Sequence, residues 1–143
     1  MTGKTLLRRL PLRLTAGAFL LDSGFGKLEA DKETAEHLQG FAAGSYPTLG
    51  KMDPQLFART LAAGEIAAGT ALLTPFVPAA VAGAVLAAFS AGLIGLYLKT
   101  PGMRREGSLR PTQQGVSLAK DVWLFGIGLS LTLDGLTSGG DRR

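Results

Sequence analysis

The sequence predicts an all-α integral membrane protein, an antiparallel four-helix bundle with a long polar first loop. Three observations carry this. Charges make up 18% of the 143 residues, yet from Leu56 to Lys99 only Arg59, Glu65 and Lys99 are charged. Apolar runs of that length mark membrane spans rather than a soluble core. The 20 glycines and abundant alanine suit helices that approach closely in lipid, where small residues sit at the contacts. Finally, apolar segments recur at about 10–28, 56–76, 78–98 and 117–136, each close to the roughly 20 residues a helix needs to cross a bilayer. At this length all four belong to a single membrane domain, residues 1–143.

Residues 1–13 hold Lys4, Arg8, Arg9 and Arg13 and no acid, and an apolar run from Leu14 to Leu28 follows. A basic start before a short apolar stretch is also the pattern of a signal peptide. Asp22 interrupts this run and no cleavage box follows, so a retained first span is expected, with Pro11 in its first turn, where a missing N–H is no loss. Residues 29–55 are the longest polar stretch, with Glu29, Asp31, Glu33, Glu36 and Asp53 against Lys32 and Lys51. Within it Ala30 to Phe41 is expected to be helical, with Leu38 and Phe41 as a short apolar edge. Turns follow at Gly44–Pro47 and Leu49–Pro54. Asp53 and Pro54 read as the N-cap and first turn of the second span.

The second span ends in Thr74-Pro75-Phe76-Val77-Pro78, uncharged and broken by two prolines, which predicts a tight hairpin. Along the third span small residues recur every fourth position, at Ala79, Gly83, Ala87, Ala91 and Gly95, with a second row at Ala80, Ala84, Ala88 and Gly92. Helical spacing places each row on one face, where another backbone can approach. Helix packing is therefore preferred to a ligand groove, and a second copy of the chain is a candidate partner for this span. Lys99 to Gly115 is a basic loop with Arg104, Arg105 and Arg110, made irregular by Gly102, Gly107 and Pro111. The fourth span carries Lys120 and Asp121 near its start and Asp134 near its end, and Trp123 reads as an interfacial anchor.

Several classes of function are disfavoured. With no cysteine there are no disulfides, thiol catalysis or cysteine-held iron–sulfur clusters. The net charge of +4 is not a nucleic-acid signature, because the basic residues lie beside spans, with no interleaved aromatics to stack bases. They read instead as topology signals and contacts to membrane lipids. The lone His37 falls in the polar loop and is read as solvated, so no metal site is expected. Lys and Arg outside the spans number six at the termini (4, 8, 9, 13, 142, 143) and six in the two long loops (32, 51, 99, 104, 105, 110). The basic flank of the first span then decides for termini inside. A bacterial cytoplasmic membrane is the expected location.

Glu65 is the most informative residue. At about 1.5 Å of rise per residue it lies roughly 13 Å below Leu56, near the middle of a hydrocarbon layer about 30 Å thick. An ionisable residue there is a candidate functional site by default. On a four-span topology Asp22, Lys27, Arg59, Lys120 and Asp121 fall in the same leaflet, so three acids and three bases gather at similar depth. Glu65 shares its helical face with Ala58, Leu61, Ala62 and Gly69, which suggests a helix neighbour rather than lipid. Two arrangements fit. In one, acids and bases pair between helices and fix the bundle. In the other, Glu65, with Asp22, lines a polar cavity that carries protons or binds the head of a quinone, a lipid or another small molecule. The first is preferred, since no redox or metal partner is visible in the sequence.

Arg13-Leu-Thr-Ala-Gly-Ala-Phe-Leu-Leu-Asp-Ser-Gly-Phe-Gly-Lys-Leu28 resembles the opening helix of the DoxX-like family of small four-span membrane proteins. That helix has an arginine, an apolar run, then glycine and lysine-leucine. Glu65 and Gly69 match the family's glutamate and following small-residue stretch, and the span order agrees over about residues 13–136. Asp22 departs from the pattern, standing where an apolar or small residue is expected. Relatives include the membrane subunit of an archaeal thiosulfate:quinone oxidoreductase and a membrane component that assembles with soluble redox enzymes. The resemblance marks Lys27 and Glu65 without assigning them a reaction. The opposite charges of the acidic first loop and basic third loop, the close-packing third span and the lack of redox ligands in the sequence point to a scaffold or accessory subunit of a membrane-associated oxidoreductase complex. Such a subunit is more an assembly factor than a catalyst on its own, and docks a soluble redox protein partner through those two loops. The alternatives are a quinone-binding oxidoreductase subunit handling protons at Glu65 and Asp22, and a transporter of a small molecule or lipid. Transport requires access from both sides, which charge gathered in one leaflet does not favour.

Overall fold

The computed structural model describes residues 3–99, 102–113 and 115–138. They form α1 (Gly3–Leu28), α2 (Lys32–Ser45), a 3-10 turn (Pro47–Lys51), α3 (Pro54–Leu73), α4 (Ala79–Lys99), the single turn α5 (Val116–Ala119) and α6 (Asp121–Ser138). The protein is all-α, with no strand among the described residues. The C-terminal tail with Arg142 and Arg143 lies outside them.

Local chemistry sets the boundaries. Asp31 caps α2 by accepting from the Thr34 N–H at 2.8 Å. Asp53 does the same for α3 through Leu56 N–H at 3.0 Å, with Pro54 in the first turn, as the Asp-Pro pair predicts. α1 begins well before Pro11, so this proline sits inside the helix rather than in its first turn. It removes one backbone donor there, in a stretch whose neighbouring arginines are anchored to other helices. α2 buries Ala35, Gln39 and Ala42 rather than the expected Leu38 edge, and Leu38 is half-buried. The side chain of Phe41 lies outside the described set. Gln39 donates to the carbonyls of Leu49 (3.0 Å) and Met52, so a short buried amide holds the following turn.

α3 and α4 are long and apolar enough to cross a membrane. α1 packs along α3, and α6 along α4. A Cβ added at Gly69 would stand 2.9 Å from the Gly17 carbonyl oxygen, and one at Gly24 would stand 3.1 Å from that of Ala62. Rising numbers on α1 meet falling numbers on α3, so the two run in opposite senses. Likewise Gly83 meets Gly128 and Thr132, while Gly135 meets Ala80. Ala16, Leu20, Ala68, Leu72, Ala82, Leu86 and Leu131 form the buried centre between these pairs.

Of the first small-residue row on α4, Ala79, Gly83 and Ala87 are buried, Ala91 is exposed, and Gly95 abuts the Tyr46 hydroxyl. Its central positions are covered by α6 of the same chain. Ala84, Ala88 and Gly92 of the second row are exposed. The start of α1, the α3–α4 connection and the end of α6 meet at one end of the helix stack. At the other end lie α2 and the 102–113 loop, where the Lys99 ammonium sits 4.8 Å from the centre of the Tyr46 ring.

Candidate functional site

Lys27 is in the last turn of α1, on the face that carries Leu20 and Gly24. Glu65 lies midway along α3, on the face that carries Ala58, Ala62 and Gly69. Because glycine and alanine line both faces, the backbones come close enough for the side chains to meet. Lys27 Nζ lies 2.8 Å from Glu65 Oε1 and also donates to Ser23 Oγ at 2.7 Å. Glu65 is 4% exposed. Its second oxygen, Oε2, is buried and has no hydrogen-bond partner among the described residues. Asp121, the first residue of α6, lies within electrostatic reach of both Glu65 and Lys27. Three helices thus bring two carboxylates and one ammonium together.

Asp22, Arg59 and Lys120 are not part of this group. All three are exposed, and none has an ion pair among the described residues. Depth alone placed them with Glu65, but direction around the helix separates them. Asp22 precedes Lys27 by five residues, about 140° around an α-helix, and Arg59 precedes Glu65 by six, about 120°. Leu61, expected on the Glu65 face, is half-buried, and His37 and Trp123 are exposed.

The opposite end holds a site that the sequence reading missed. Arg13 is 9% exposed and donates to four carbonyls: Leu72 (2.6 Å), Thr74 (2.7 Å), Ala71 (2.9 Å) and Val77 (3.0 Å). These belong to the last turn of α3 and the connection to α4. Helix ends leave carbonyls without donors, and Pro75 and Pro78 have no N–H to offer those of Ala71 and Thr74. The guanidinium supplies donors to these carbonyls, sharing that of Thr74 with the Val77 N–H (3.2 Å), and opposes the negative end of the helix dipole. One turn earlier Arg9, 6% exposed, donates Nε–H to the Asp134 carboxylate and Nη2–H to its carbonyl at 3.0 Å, and Arg8 pairs with the same carboxylate. Proline spacing combined with a basic residue inside the apolar start of α1 was the available signal.

Two clefts accompany these groups. One, of about 180 Å³, lies in the basic loop beside Lys99, Arg104, Arg105 and Glu106. The other, of about 50 Å³, lies between α1 and the end of α3 beside Arg9 and Arg13. Neither is lined by Glu65. Chemically, the Lys27–Glu65 contact can fasten α1 to α3, and the unpartnered Oε2 leaves the carboxylate free to accept a proton or a ligand donor.

The DoxX family model matches residues 9–97, from α1 through most of α4, and so takes in Arg9, Arg13, Lys27 and Glu65. The chain belongs to the DoxX family of small membrane proteins. No curated protein and no solved structure matches it significantly.

Proposed function

We propose that this protein is a four-span membrane subunit, with α1, α3, α4 and α6 crossing in alternate directions, that acts as a scaffold or accessory subunit of a membrane-associated oxidoreductase assembly. The observation that carries the reading is the use of the mid-span carboxylate. Glu65 is closed on Lys27 of a neighbouring helix, which is how a buried charge serves to hold a bundle in register. A docking face is available at the α2 end. Glu33 and Glu36 of α2 and Arg104, Arg105 and Arg110 of the following basic loop are all exposed, offering both signs of charge to a soluble redox partner. The start of α1 and the end of α6 lie at the other end, which on this reading faces the inside of a bacterial cytoplasmic membrane. The tagged full-length chain, extracted in mild detergent, will recover a redox protein in stoichiometric amount, and charge reversal at Glu33 and Glu36 will release it. A chain that migrates alone in every gentle extraction overturns the proposal.

A second reading is favoured by one specific observation, the unpartnered Glu65 Oε2 with Asp121 close by. Here Glu65 is a proton acceptor beside a quinone headgroup. The substitution Glu65→Gln separates the two. A proton-handling residue leaves the fold intact and loses quinone turnover, whereas a tie loses stability.

A further inference from the structure

We infer that the cleft between the start of α1 and the end of α3 binds the phosphate headgroup of an anionic phospholipid. The inference rests on the reading that α3 and α4 cross the membrane, which places their connection at the headgroup layer. Phe76 in that connection is 91% exposed, as befits an aromatic ring at an interface.

Arg9 and Arg13 form the polar floor of the cleft, and both are more than nine-tenths buried. A guanidinium has five N–H groups. Those of Arg13 are almost all given to carbonyls, but Arg9 donates only Nε–H and one Nη2–H to Asp134. Its remaining N–H groups have no described acceptor. Arg8 and Arg9 share the single carboxylate of Asp134 and Arg13 beside them is bound to neutral carbonyls, so this end of the bundle keeps excess positive charge. A phosphodiester oxygen would satisfy the spare donors through charge-assisted hydrogen bonds.

The wall of the cleft selects a lipid over a soluble anion. Leu6, Leu10 and Leu14 are spaced four apart, so they form one stripe beside the arginines, and they are 48%, 42% and 47% exposed. A free phosphate has no use for such a stripe. An acyl chain lying along it, with its headgroup at Arg9, uses both parts of the cleft. Anionic lipids are drawn to clusters of this kind at membrane surfaces.

Native mass spectrometry of the full chain in neutral detergent tests this, with added phosphatidylglycerol, phosphatidylcholine or inorganic phosphate. Phosphatidylglycerol will be retained about tenfold more strongly than phosphatidylcholine, and phosphate will not be retained. Leu10→Trp, which fills the cleft and keeps both arginines, will bring phosphatidylglycerol retention down to the phosphatidylcholine level without moving the lipid-free unfolding midpoint. The double substitution Arg104→Gln and Arg105→Gln in the other basic region will leave retention unchanged. Equal retention of the two lipids, retention of free phosphate, or loss of retention in the loop variant and not in Leu10→Trp overturns the inference. A chain that stays soluble without detergent overturns the membrane reading itself, and is distinguishable from lost lipid selectivity in a detergent-bound chain.

Discussion

Arg13→Ala will lower the unfolding midpoint of the detergent-solubilised protein by about 10 °C. That follows from a loss of about 3–5 kcal/mol at the few degrees per kcal/mol expected for a chain of this size. The arginine makes four hydrogen bonds to carbonyls of the α3 end and the connection to α4. That of Ala71 has a proline four residues on, so no backbone N–H of a continuing helix replaces the guanidinium there, while Thr74 keeps only the long Val77 N–H contact at 3.2 Å. Arg13→Lys will recover less than half of the loss, since a compact ammonium cannot reach four acceptors spread over two turns. Thermal unfolding of the two variants beside the parent checks this. An unchanged midpoint for Arg13→Ala would show that the connection is held by its own prolines.

The second large effect is expected at the contact between α4 and α6. A Cβ at Gly128 would stand 2.6 Å from the Ala87 backbone nitrogen and 2.8 Å from the Gly83 carbonyl oxygen. Backbone cannot swing away as a side chain does, so Gly128→Val forces the helices apart. The cost is about 3 kcal/mol, at the upper end of the range for overpacking. Gly126, two residues earlier on the same helix, has open space around it. Gly126→Ala will therefore be neutral or stabilising by up to about 1 kcal/mol through helix propensity. Measured side by side by unfolding in detergent, the pair separates close packing from a general intolerance of α6 to substitution.

Much of the helical plan was legible because it depends on period and punctuation. The caps at Asp53 and the buried Ala79, Gly83 and Ala87 follow from spacing alone, and the helical character of the polar first loop from its composition. Spacing identifies which face is covered but not by what, so the role of Gly128 was hidden until α6 was seen against α4. Lys27 and Glu65, singled out in the sequence, meet in the structure. Asp22 and Arg59 illustrate the limit of depth arithmetic. Rise per residue puts them near Glu65, and rotation per residue turns them away from it. Arg13 was read as a basic flank, because a charge near the end of an apolar segment has an ordinary explanation at the interface. Its real partners are backbone carbonyls more than fifty residues away, which no local pattern displays.

A double-mutant cycle on Lys27 and Glu65 tests most directly whether the mid-span carboxylate is a tie between helices. Lys27→Met and Glu65→Leu each strand a partly or fully buried charge, and each is predicted to cost about 3 kcal/mol of unfolding free energy in detergent. Together they replace the pair with apolar side chains, so the double variant should return to within about 1 kcal/mol of the parent, a coupling of several kcal/mol. Additive losses, or a Glu65→Leu variant as stable as the parent that has lost quinone turnover, would contradict the tie and assign Glu65 to proton chemistry instead.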